Sequence, residues 1–349
     1  MNKKIFIIFT IIFISLISKN IYCEDNAKVY VIKKLEFQEI NRWYAAYIKK
    51  AIKKAGDEGA SLIILELDTP GGLLSSALSI KNYIIESDIP VVAYINKNAL
   101  SAGALISLSC EAIYMSDGSI IGAATPVYMK GNEIEKAGEK EISAMRAAMR
   151  SSAERSKKNV RAAEAMVDET IILTRSKDGI DLDDKTLLTL SLEEALKVNI
   201  ADGKANSIIE IIKLRNLSEN STIKNVEEEK YDYILRFLIN PAVLSALISI
   251  GIIGVYIELK TPGFGIGGVI SIIAFSIFFF AQIFVGDSGF LSPAIFLLGI
   301  VLLAIEIFVI PGFGITGILG ILGIVAGIFM SFGINNIAQA VLVVFVSLI

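Results

Sequence analysis

Two short turns contain the residues of this 349-residue chain whose types and spacing could do chemistry. Thr69–Gly72 ends in a glycine pair, where backbone N–H groups can face an anion at the start of a helix. Ala99–Gly103 places the hydroxyl of Ser101, a candidate nucleophile, just before an apolar helix. Taken singly, a tight βα turn accounts for the glycines and a helix N-cap accounts for the serine. Together, at neighbouring strand ends, the two turns would bring N–H donors and a hydroxyl to one rim.

The composition restricts what this chemistry can be. The chain has no histidine and only two cysteines, Cys23 and Cys110. Ser-His-Asp and Cys-His catalysis, histidine-bearing metal sites and Cys₄ zinc or iron–sulfur sites are therefore excluded. An enzyme would have to use serine, threonine, lysine, tyrosine or carboxylates, and we expect no metal and no cofactor. The net charge of −3 gives no basic field, so no nucleic-acid partner is expected.

The distribution of charge separates a membrane region from the rest of the chain. After residue 240 only four side chains are charged, namely Glu258, Lys260, Asp287 and Glu306. Apolar stretches occupy residues 242–259, 264–286, 291–310 and 315–334, and a fifth begins at Ile337. Each full stretch is close to the roughly 20 residues that span a bilayer. The sequence predicts a transmembrane domain of four to five helices over residues 241–349, in a multi-pass protein of the cell membrane.

The N-terminus has the layout of a secretory signal. Lys3 and Lys4 precede an apolar run, Ile5–Ile17, that is too short to favour a stable span. Residues 1–23 are therefore predicted to be a signal peptide; lipidation of Cys23 is the alternative, which the bulky Tyr22 disfavours. The domain that follows is then extracytoplasmic, with Lys260 inside and Asp287 outside.

Residues 25–212 are predicted to form an α/β domain of repeated βα units, and residues 213–240 a polar linker. Short apolar runs alternate with helical patterns, as in parallel sheets with helical crossovers. The predicted strands are Val29–Phe37, Ser61–Leu67, Pro90–Ile95 and Glu111–Met115, and the predicted helices include Asn41–Lys54, Leu73–Glu86 and Glu141–Lys157. This arrangement places both turns after strands of one sheet.

Three motifs in this order resemble the long form of the NfeD family. They are Asp68–Leu74 (DTPGGLL), Ala99–Gly103 (ALSAG) and Glu164–Asp168 (EAMVD). The resemblance implies a ClpP/crotonase-like fold in a membrane-bound serine protease with a Ser-Lys dyad. It implies that Ser101 is the nucleophile and that Gly71, Gly72, Ala102 and Gly103 offer the oxyanion donors. A lysine base agrees with the absence of histidine.

The resemblance places the lysine just before a helix that continues into an Arg-Ser-x-Ala-Glu stretch, here Arg150–Glu154. Counting back reaches Lys140, at the predicted start of its helix. The positive end of the helix dipole disfavours a charged ammonium there. The alternative is a solvated lysine held in its charged form by Glu139 and Glu141, with Lys136 and Lys157 as other candidates for the base.

The resemblance also implies what the protein acts on. Substrates would be hydrophobic peptide or membrane-protein segments cut near the membrane lipid, the partner a stomatin-like (SPFH) protein, and the assembly a homo-oligomer. Long-form members usually end in a soluble β-barrel after the last span, which this sequence lacks. The alternative function is a catalytically silent membrane scaffold of the same fold that binds a stomatin-like protein.

Two further features leave alternatives open. Glu258 and Glu306 each precede a Pro-Gly-Phe-Gly segment, about 49 residues apart, so the membrane region contains an internal repeat. The two carboxylates either mark helix ends or form an intramembrane pair for assembly or transport. A basic helical face, formed by Lys49, Lys50, Lys53 and Lys54, is either solvated surface or a contact with anionic lipid.

Overall fold

A computed structural model gives the fold and describes residues 27–33, 39–130, 133–183, 185–218, 220–261, 263, 265–285, 289–309, 314–333 and 336–348. The predicted signal peptide, residues 1–23, and the predicted outer charge Asp287 lie outside these residues.

A mostly parallel sheet organises the N-terminal domain, because its strands are nearly continuous apolar runs that can be buried on both faces. The strands are β1 (Lys28–Ile32), β2 (Leu62–Thr69), β3 (Val91–Leu100), β4 (Ala112–Met115), β5 (Ile120–Gly122), β6 (Val127–Lys130), β7 (Glu133–Lys136), β8 (Thr189–Ser191), β9 (Gly203–Lys204) and β10 (Thr222–Val226). The central order is β10-β1-β2-β3-β4-β9, with every pair parallel. Strand β5 extends the sheet beside the end of β3 and pairs with β8 in the antiparallel direction. The predicted α/β ClpP-like class is confirmed.

Helices cover both faces of this sheet. They are α1 (Arg42–Asp57), α2 (Leu74–Ile85), α3 (Ala102–Ser109), α4 (Glu139–Arg155), α5 (Val160–Ala165), α6 (Arg175–Asp178), α7 (Leu192–Lys197) and α8 (Ile208–Leu214). The larger core lies under α1 to α5 and includes Trp43, Ile63 and Leu105. The smaller core lies on the other face, where Ile211 and Ile212 of α8 cover Ile64. The sheet is therefore a rigid platform, and its strand ends fix the positions of the turns.

Strand β3 is longer than its apolar run predicts. The predicted strand ends at Ile95, whereas the observed strand continues to Leu100. The added residues pair through the backbone with β5, from Asn98↔Ile120 to Leu100↔Gly122. The side-chain amides of Asn96 and Asn98 also donate to Glu66 and Asp68 of β2, at 2.5 Å and 3.1 Å. Strand β3 therefore carries the chain directly to Ser101.

The predicted linker, residues 213–240, requires a correction. Strand β10 within it is the edge strand of the main sheet and pairs with β1 from Lys28↔Thr222 to Ile32↔Val226. Four of its five side chains are exposed, so its sequence resembles that of a polar connection. A further helix, α9 (Lys230–Leu238), follows and leads into the membrane region. The segment is thus part of the folded domain.

In the part of the chain that the structure describes, five apolar helices follow, within a few residues of the predicted stretches. They are α10 (Pro241–Lys260), α11 (Ile266–Val285), α12 (Leu291–Phe308), α13 (Ile315–Ser331) and α14 (Ile337–Ser347). Helices α10, α11 and α12 are long and apolar enough to cross a membrane, and α13, at 17 residues, is a shorter apolar helix. Phe278, Phe296 and Phe332 meet in the core of the bundle.

The two membrane carboxylates act as caps of the helices that follow them. The Glu258 carboxylate accepts hydrogen bonds from the N–H groups of Gly265 and Gly268, both at 2.7 Å, at the start of α11. The Glu306 carboxylate accepts from the N–H of Gly314 and the hydroxyl of Thr316 at the start of α13. Each carboxylate accepts hydrogen bonds from donors within its own copy of the repeat. The structure therefore favours the interpretation that the carboxylates mark helix ends over the interpretation that they form an intramembrane pair for transport.

The α/β domain contacts one end of the helical bundle through polar side chains. Arg42, at the start of α1, donates to the side-chain oxygen of Gln282 in α11 at 2.9 Å. The Arg42 guanidinium also lies over the ring of Phe332, 5.5 Å from its centroid. The hydroxyl of Ser75 in α2 bonds to the side chain of Asn336 at 2.9 Å. Since Ser75 closely follows the glycine pair, the glycine turn lies near the bundle.

Candidate active site

Ser101 occupies a strained position between β3 and α3. Its backbone has φ 53° and ψ −118°, a conformation that costs a residue other than glycine about 1–3 kcal/mol. Its N–H donates to the carbonyl of Gly122 at 2.9 Å, which holds the turn against β5. Its side chain is half-buried and makes no capping hydrogen bond to α3. The structure therefore does not support the alternative in which the Ser101 side chain caps α3. Within the described residues, the Ser101 hydroxyl is not used as a cap.

Gly71 lies directly against this serine. Its φ is +117°, and a Cβ added to it would lie 2.5 Å from the Ser101 Cβ and 3.0 Å from the Ser101 Oγ. Its N–H donates to the hydroxyl of Thr69 at 3.1 Å, so this donor is already used within the turn. Its carbonyl accepts from the N–H of Ile40 at 2.7 Å. Gly71 thus contributes close packing on the serine, while its N–H is engaged.

The remaining N–H groups of the two turns are candidates for binding an oxyanion. Gly72 is exposed, and Ala102 and Gly103 begin α3, where the first N–H groups have no partner within the helix. Among the described residues, none of these three N–H groups donates a hydrogen bond. A Cβ on Gly103 would lie 2.6 Å from the Thr69 methyl, so the start of α3 and the end of β2 are in close contact. The glycine turn is therefore in contact with Ser101, and the start of α3 is in contact with the end of β2.

Ile40 holds the glycine turn in place, a role that no sequence pattern indicated. It forms a parallel bridge with Gly72: its N–H bonds to Gly71, and its carbonyl accepts from the N–H of Leu73 at 2.7 Å. A pairing between backbone groups requires no particular side chain, so no motif could have found it. Arg42, two residues later, is the contact to the membrane helix α11.

Lys140 is the second residue of α4 and is exposed. Within the described residues its side chain makes no ion pair and no hydrogen bond, including none to Ser101. Two backbone hydrogen bonds connect the region of Ser101 with the start of α4. The Ser101 N–H donates to the carbonyl of Gly122, and the carbonyl of Pro126, four residues further on, accepts from the N–H of Ala137 at 3.0 Å, just before α4. The hairpin of β6 and β7 projects between Pro126 and Ala137, and the sequence had not indicated it.

The other candidate bases are placed less favourably. The Lys136 ammonium forms an ion pair with Glu169 at 2.6 Å. Lys157 follows the C-terminal end of α4, about 25 Å along the helix from Lys140 at 1.5 Å per residue. The Cys110 thiol is fully buried, and burial raises its pKa, so it is not a nucleophile at neutral pH. Lys140 lies at the N-terminal end of α4, unlike Lys157, and has no ion-pair partner within the described residues, unlike Lys136.

Two ion pairs fix α4 to the segment after it. Arg146 pairs with Asp168, and Arg150 pairs with Glu164 at 3.0 Å. At the other end the hydroxyls of Ser109 in α3 and Ser152 in α4 are 3.1 Å apart. The motif that ends in Asp168 thus anchors the helix that carries Lys140.

Replacing Gly71 by alanine is expected to destabilise the α/β domain by about 2–4 kcal/mol, because the new methyl meets Ser101 and the backbone has a positive φ. Gly118→Ala is the matched control: its φ is +75°, but its Cβ would meet nothing within 4 Å, so a loss of about 1 kcal/mol is expected. Unfolding of the full chain can be followed by fluorescence of Trp43, the single tryptophan. Equal losses of stability in both variants would contradict the predicted clash between the new methyl group and Ser101.

Asp168 should make the domain sensitive to acid. The Thr170 hydroxyl and the Arg146 guanidinium lower the pKa of its carboxyl, against the opposing effect of burial. A lowered pKa in the folded state gives stability above the ordinary pKa that is lost as the pH falls through the folded value. Trp43 fluorescence should show wild type losing more stability than Asp168→Asn between about pH 5 and pH 3. An identical loss in both would show that Asp168 is not a source of this sensitivity.

The fold and the two contacting turns define a class: a ClpP-like α/β domain joined to a helical membrane domain. The chain belongs to the NfeD family. Residues 28–226 match the NfeD1b N-terminal domain, and residues 242–349 match the NfeD integral membrane domain. The predicted family and the membrane location are confirmed.

Two curated relatives and one solved structure extend this result. Membrane protein NfeD1b of Bacillus subtilis (strain 168) is 35% identical over 296 residues, which cover 85% of this chain and 65% of that protein. Membrane-bound protease PH1510 of Pyrococcus horikoshii is 28% identical over 300 residues, which cover 80% of this chain and 64% of that protein. The chain therefore spans just under two thirds of the length of these relatives.

The solved structure is that of a 1510-N membrane-bound stomatin-specific protease, as a lysine-to-alanine mutant in complex with a substrate peptide. It matches with a TM-score of 0.50 and 26% identity, over 61% of this chain and 97% of the other. Together these similarities give the chain a NfeD/ClpP-like protease fold in a membrane protein.

Proposed function

We propose that the chain is a membrane-anchored serine endopeptidase that cuts hydrophobic peptide segments near the membrane, with Ser101 as nucleophile and Lys140 as general base. One observation carries the proposal: Ser101 is held at positive φ against Gly71, without a capping role, beside free N–H groups. A strained serine whose hydroxyl makes no capping hydrogen bond to the helix that follows it suits a nucleophile better than a structural residue.

The reaction would proceed through an acyl-enzyme. The neutral amine of Lys140 takes the Ser101 proton while Oγ bonds to the peptide carbonyl carbon, and the carbonyl electron pair moves to oxygen. The N–H groups of Gly72 and Ala102 stabilise that oxyanion. The tetrahedral intermediate then expels the amine, which receives the proton from Lys140. Water attacks the ester in the same way and releases the carboxylic acid, which restores the free Ser101 hydroxyl.

Lys140 must approach Ser101 to about 3 Å for this step. Lys140 lies in the first turn of α4 and has no ion-pair partner within the described residues, which supports its role as base over that of Lys136, which is paired with Glu169. Further support comes from the similar stomatin-specific protease, whose peptide complex contains a lysine-to-alanine mutant. Binding of a substrate between the two groups would order the exposed lysine.

The attachment of the glycine turn to the bundle supports the proposed substrate class. Ser75 bonds to Asn336, and Ile40, which bridges Gly72, is two residues from the buried Arg42–Gln282 contact. A segment that lies close to the membrane surface would therefore reach the rim most easily. The similar protease is described as specific for stomatin, so we propose a stomatin-like protein as partner and substrate.

The same proposal includes the placement in the cell. The protein would be multi-pass, with four to five spans over residues 241–349, a cleaved signal peptide at residues 1–23 and the ClpP-like domain outside the cytoplasm. A homo-oligomer would enclose the sites of several copies, as expected for the fold.

One observation favours a second function. No hydrogen bond joins Lys140 to Ser101 in the described structure, so the dyad is not formed in this conformation. A chain in which it never forms would be a catalytically silent scaffold that binds a stomatin-like protein without cutting it.

Cleavage and binding distinguish the two functions. The purified full chain, in detergent, is incubated with a hydrophobic peptide and with a stomatin-like protein, and products are identified by mass spectrometry. A protease yields new peptide termini, whereas a scaffold retains the intact partner. Binding without cleavage, at every pH tested, would overturn the protease proposal.

A further inference from the structure

A cleft of about 600 Å³ lies where the α/β domain meets the membrane helices. One wall is α1, the other is α9, and the base is the end of α11 at Phe284 and Val285. It is separate from the rim around Ser101, and the proposed protease chemistry does not use it.

The α1 wall is strongly basic. Lys49, Lys50, Lys53 and Lys54 all line the cleft, because residues three and four apart share a helix face. Lys50 is neutralised by Glu229 at 3.3 Å and Asp232 at 3.5 Å. Within the described residues, Lys49, Lys53 and Lys54 form no ion pair. The cleft therefore offers positive charge that its own residues do not balance.

The acidic residues of the cleft do not remove this charge. Glu58 is paired with Lys224 at 2.7 Å and also interacts with Lys54. Glu229 and Asp232 both lie against Lys50. With Asp57, these carboxylates number four against the four α1 lysines and Lys224, so one positive charge is left in excess and the site suits an anion.

The base and the α9 wall place the cleft at the membrane surface. Phe284, 56% exposed, belongs to the last turn of the apolar helix α11. Tyr233, Ile234 and Phe237 of α9 are 54%, 60% and 65% exposed, just before the first membrane helix begins at Pro241. Aromatic and apolar side chains exposed in this way are typical of the boundary between water and lipid.

We propose that this cleft binds an anionic phospholipid from the leaflet that faces the α/β domain. The phosphate lies between the ammonium groups of Lys49 and Lys53, and an acyl chain runs along Phe284 into the bilayer. The aromatic rings of Tyr83 and Tyr231 orient the lysines, since Lys49 lies 5.1 Å and Lys50 4.1 Å from their respective centroids. The apolar base distinguishes a lipid from a free phosphate ion, which would leave Phe284 uncovered.

Lipids retained by the purified full chain test this assignment. The chain is equilibrated in neutral detergent with equal amounts of phosphatidylglycerol and phosphatidylcholine, and the bound lipids are counted by native mass spectrometry. Wild type should retain phosphatidylglycerol in excess. The variant Lys49→Gln/Lys53→Gln should lose that excess by roughly tenfold, because each lysine near a membrane surface contributes to anion binding.

The matched control is Lys177→Gln/Lys197→Gln, which removes two exposed lysines of the same domain away from the cleft and should retain the wild-type excess. An unchanged excess in Lys49→Gln/Lys53→Gln would overturn the proposal. Inorganic phosphate is added in a parallel arm. If it displaces phosphatidylglycerol completely from wild type, the site recognises free phosphate and the lipid assignment is wrong.

Discussion

Replacing Ser101 by alanine is expected to lower kcat/KM for a hydrophobic peptide by about 10⁴-fold or more. The substitution removes the one oxygen that would form the acyl-enzyme; the sequence has no histidine, and the Cys110 thiol is buried. Stability should change by less than about 1 kcal/mol, since the hydroxyl caps nothing and both residues bear the same positive φ. Peptide cleavage by the full chain measures the first effect, and Trp43 fluorescence measures the second.

Ser107→Ala is the matched control for this prediction. Ser107 lies in α3, the helix that follows Ser101. It is buried, and its hydroxyl donates to the carbonyl of Gly103 at 2.8 Å. Its loss should leave cleavage within about threefold of wild type, because a hydrogen bond within a helix contributes little net stability. Wild-type cleavage by Ser101→Ala would assign the activity to another residue.

Replacing Lys140 by methionine should lower kcat by about 10²–10⁴-fold, the usual contribution of a general base, with a much smaller effect on KM. Lys140→Arg should be as inactive as Lys140→Met, because a guanidinium stays protonated and cannot accept the serine proton. The kcat and KM of wild type, set beside those of both variants, measure these effects.

Lys136→Met is the matched control. Lys136 lies four residues before Lys140 but is paired with Glu169, so its removal should leave kcat within about threefold of wild type. A large loss in Lys136→Met together with full activity in Lys140→Met would move the role of base to Lys136.

The βα units and the membrane helices could be predicted from sequence because both give strong local patterns. Strand β2 and helix α1 are uninterrupted apolar or amphipathic runs, and Asn41, the predicted helix start, is indeed the N-cap, accepting from the N–H of Tyr44 at 2.9 Å. The glycine pair could be predicted because a positive φ favours glycine, and Ser101 could be predicted because its motif resembles that of the NfeD family.

The remaining features depend on contacts that leave no local pattern. The edge strand β10 is mostly exposed, so its residues follow the composition of a linker, although its backbone pairs fully with β1. The bridge from Ile40 to Gly72 is made by backbone groups. The side-chain position of a base such as Lys140 depends on a substrate, and no sequence pattern specifies it.

The most direct test of the central claim is to locate the residue that reacts with a fluorophosphonate, a reagent that traps activated serines. The full chain is labelled in detergent, digested and sequenced by mass spectrometry. We predict one adduct on Ser101, absent in Ser101→Ala and strongly reduced in Lys140→Met. Labelling of a different serine, or none in a chain that cleaves peptide, would contradict the assignment of Ser101 as the nucleophile.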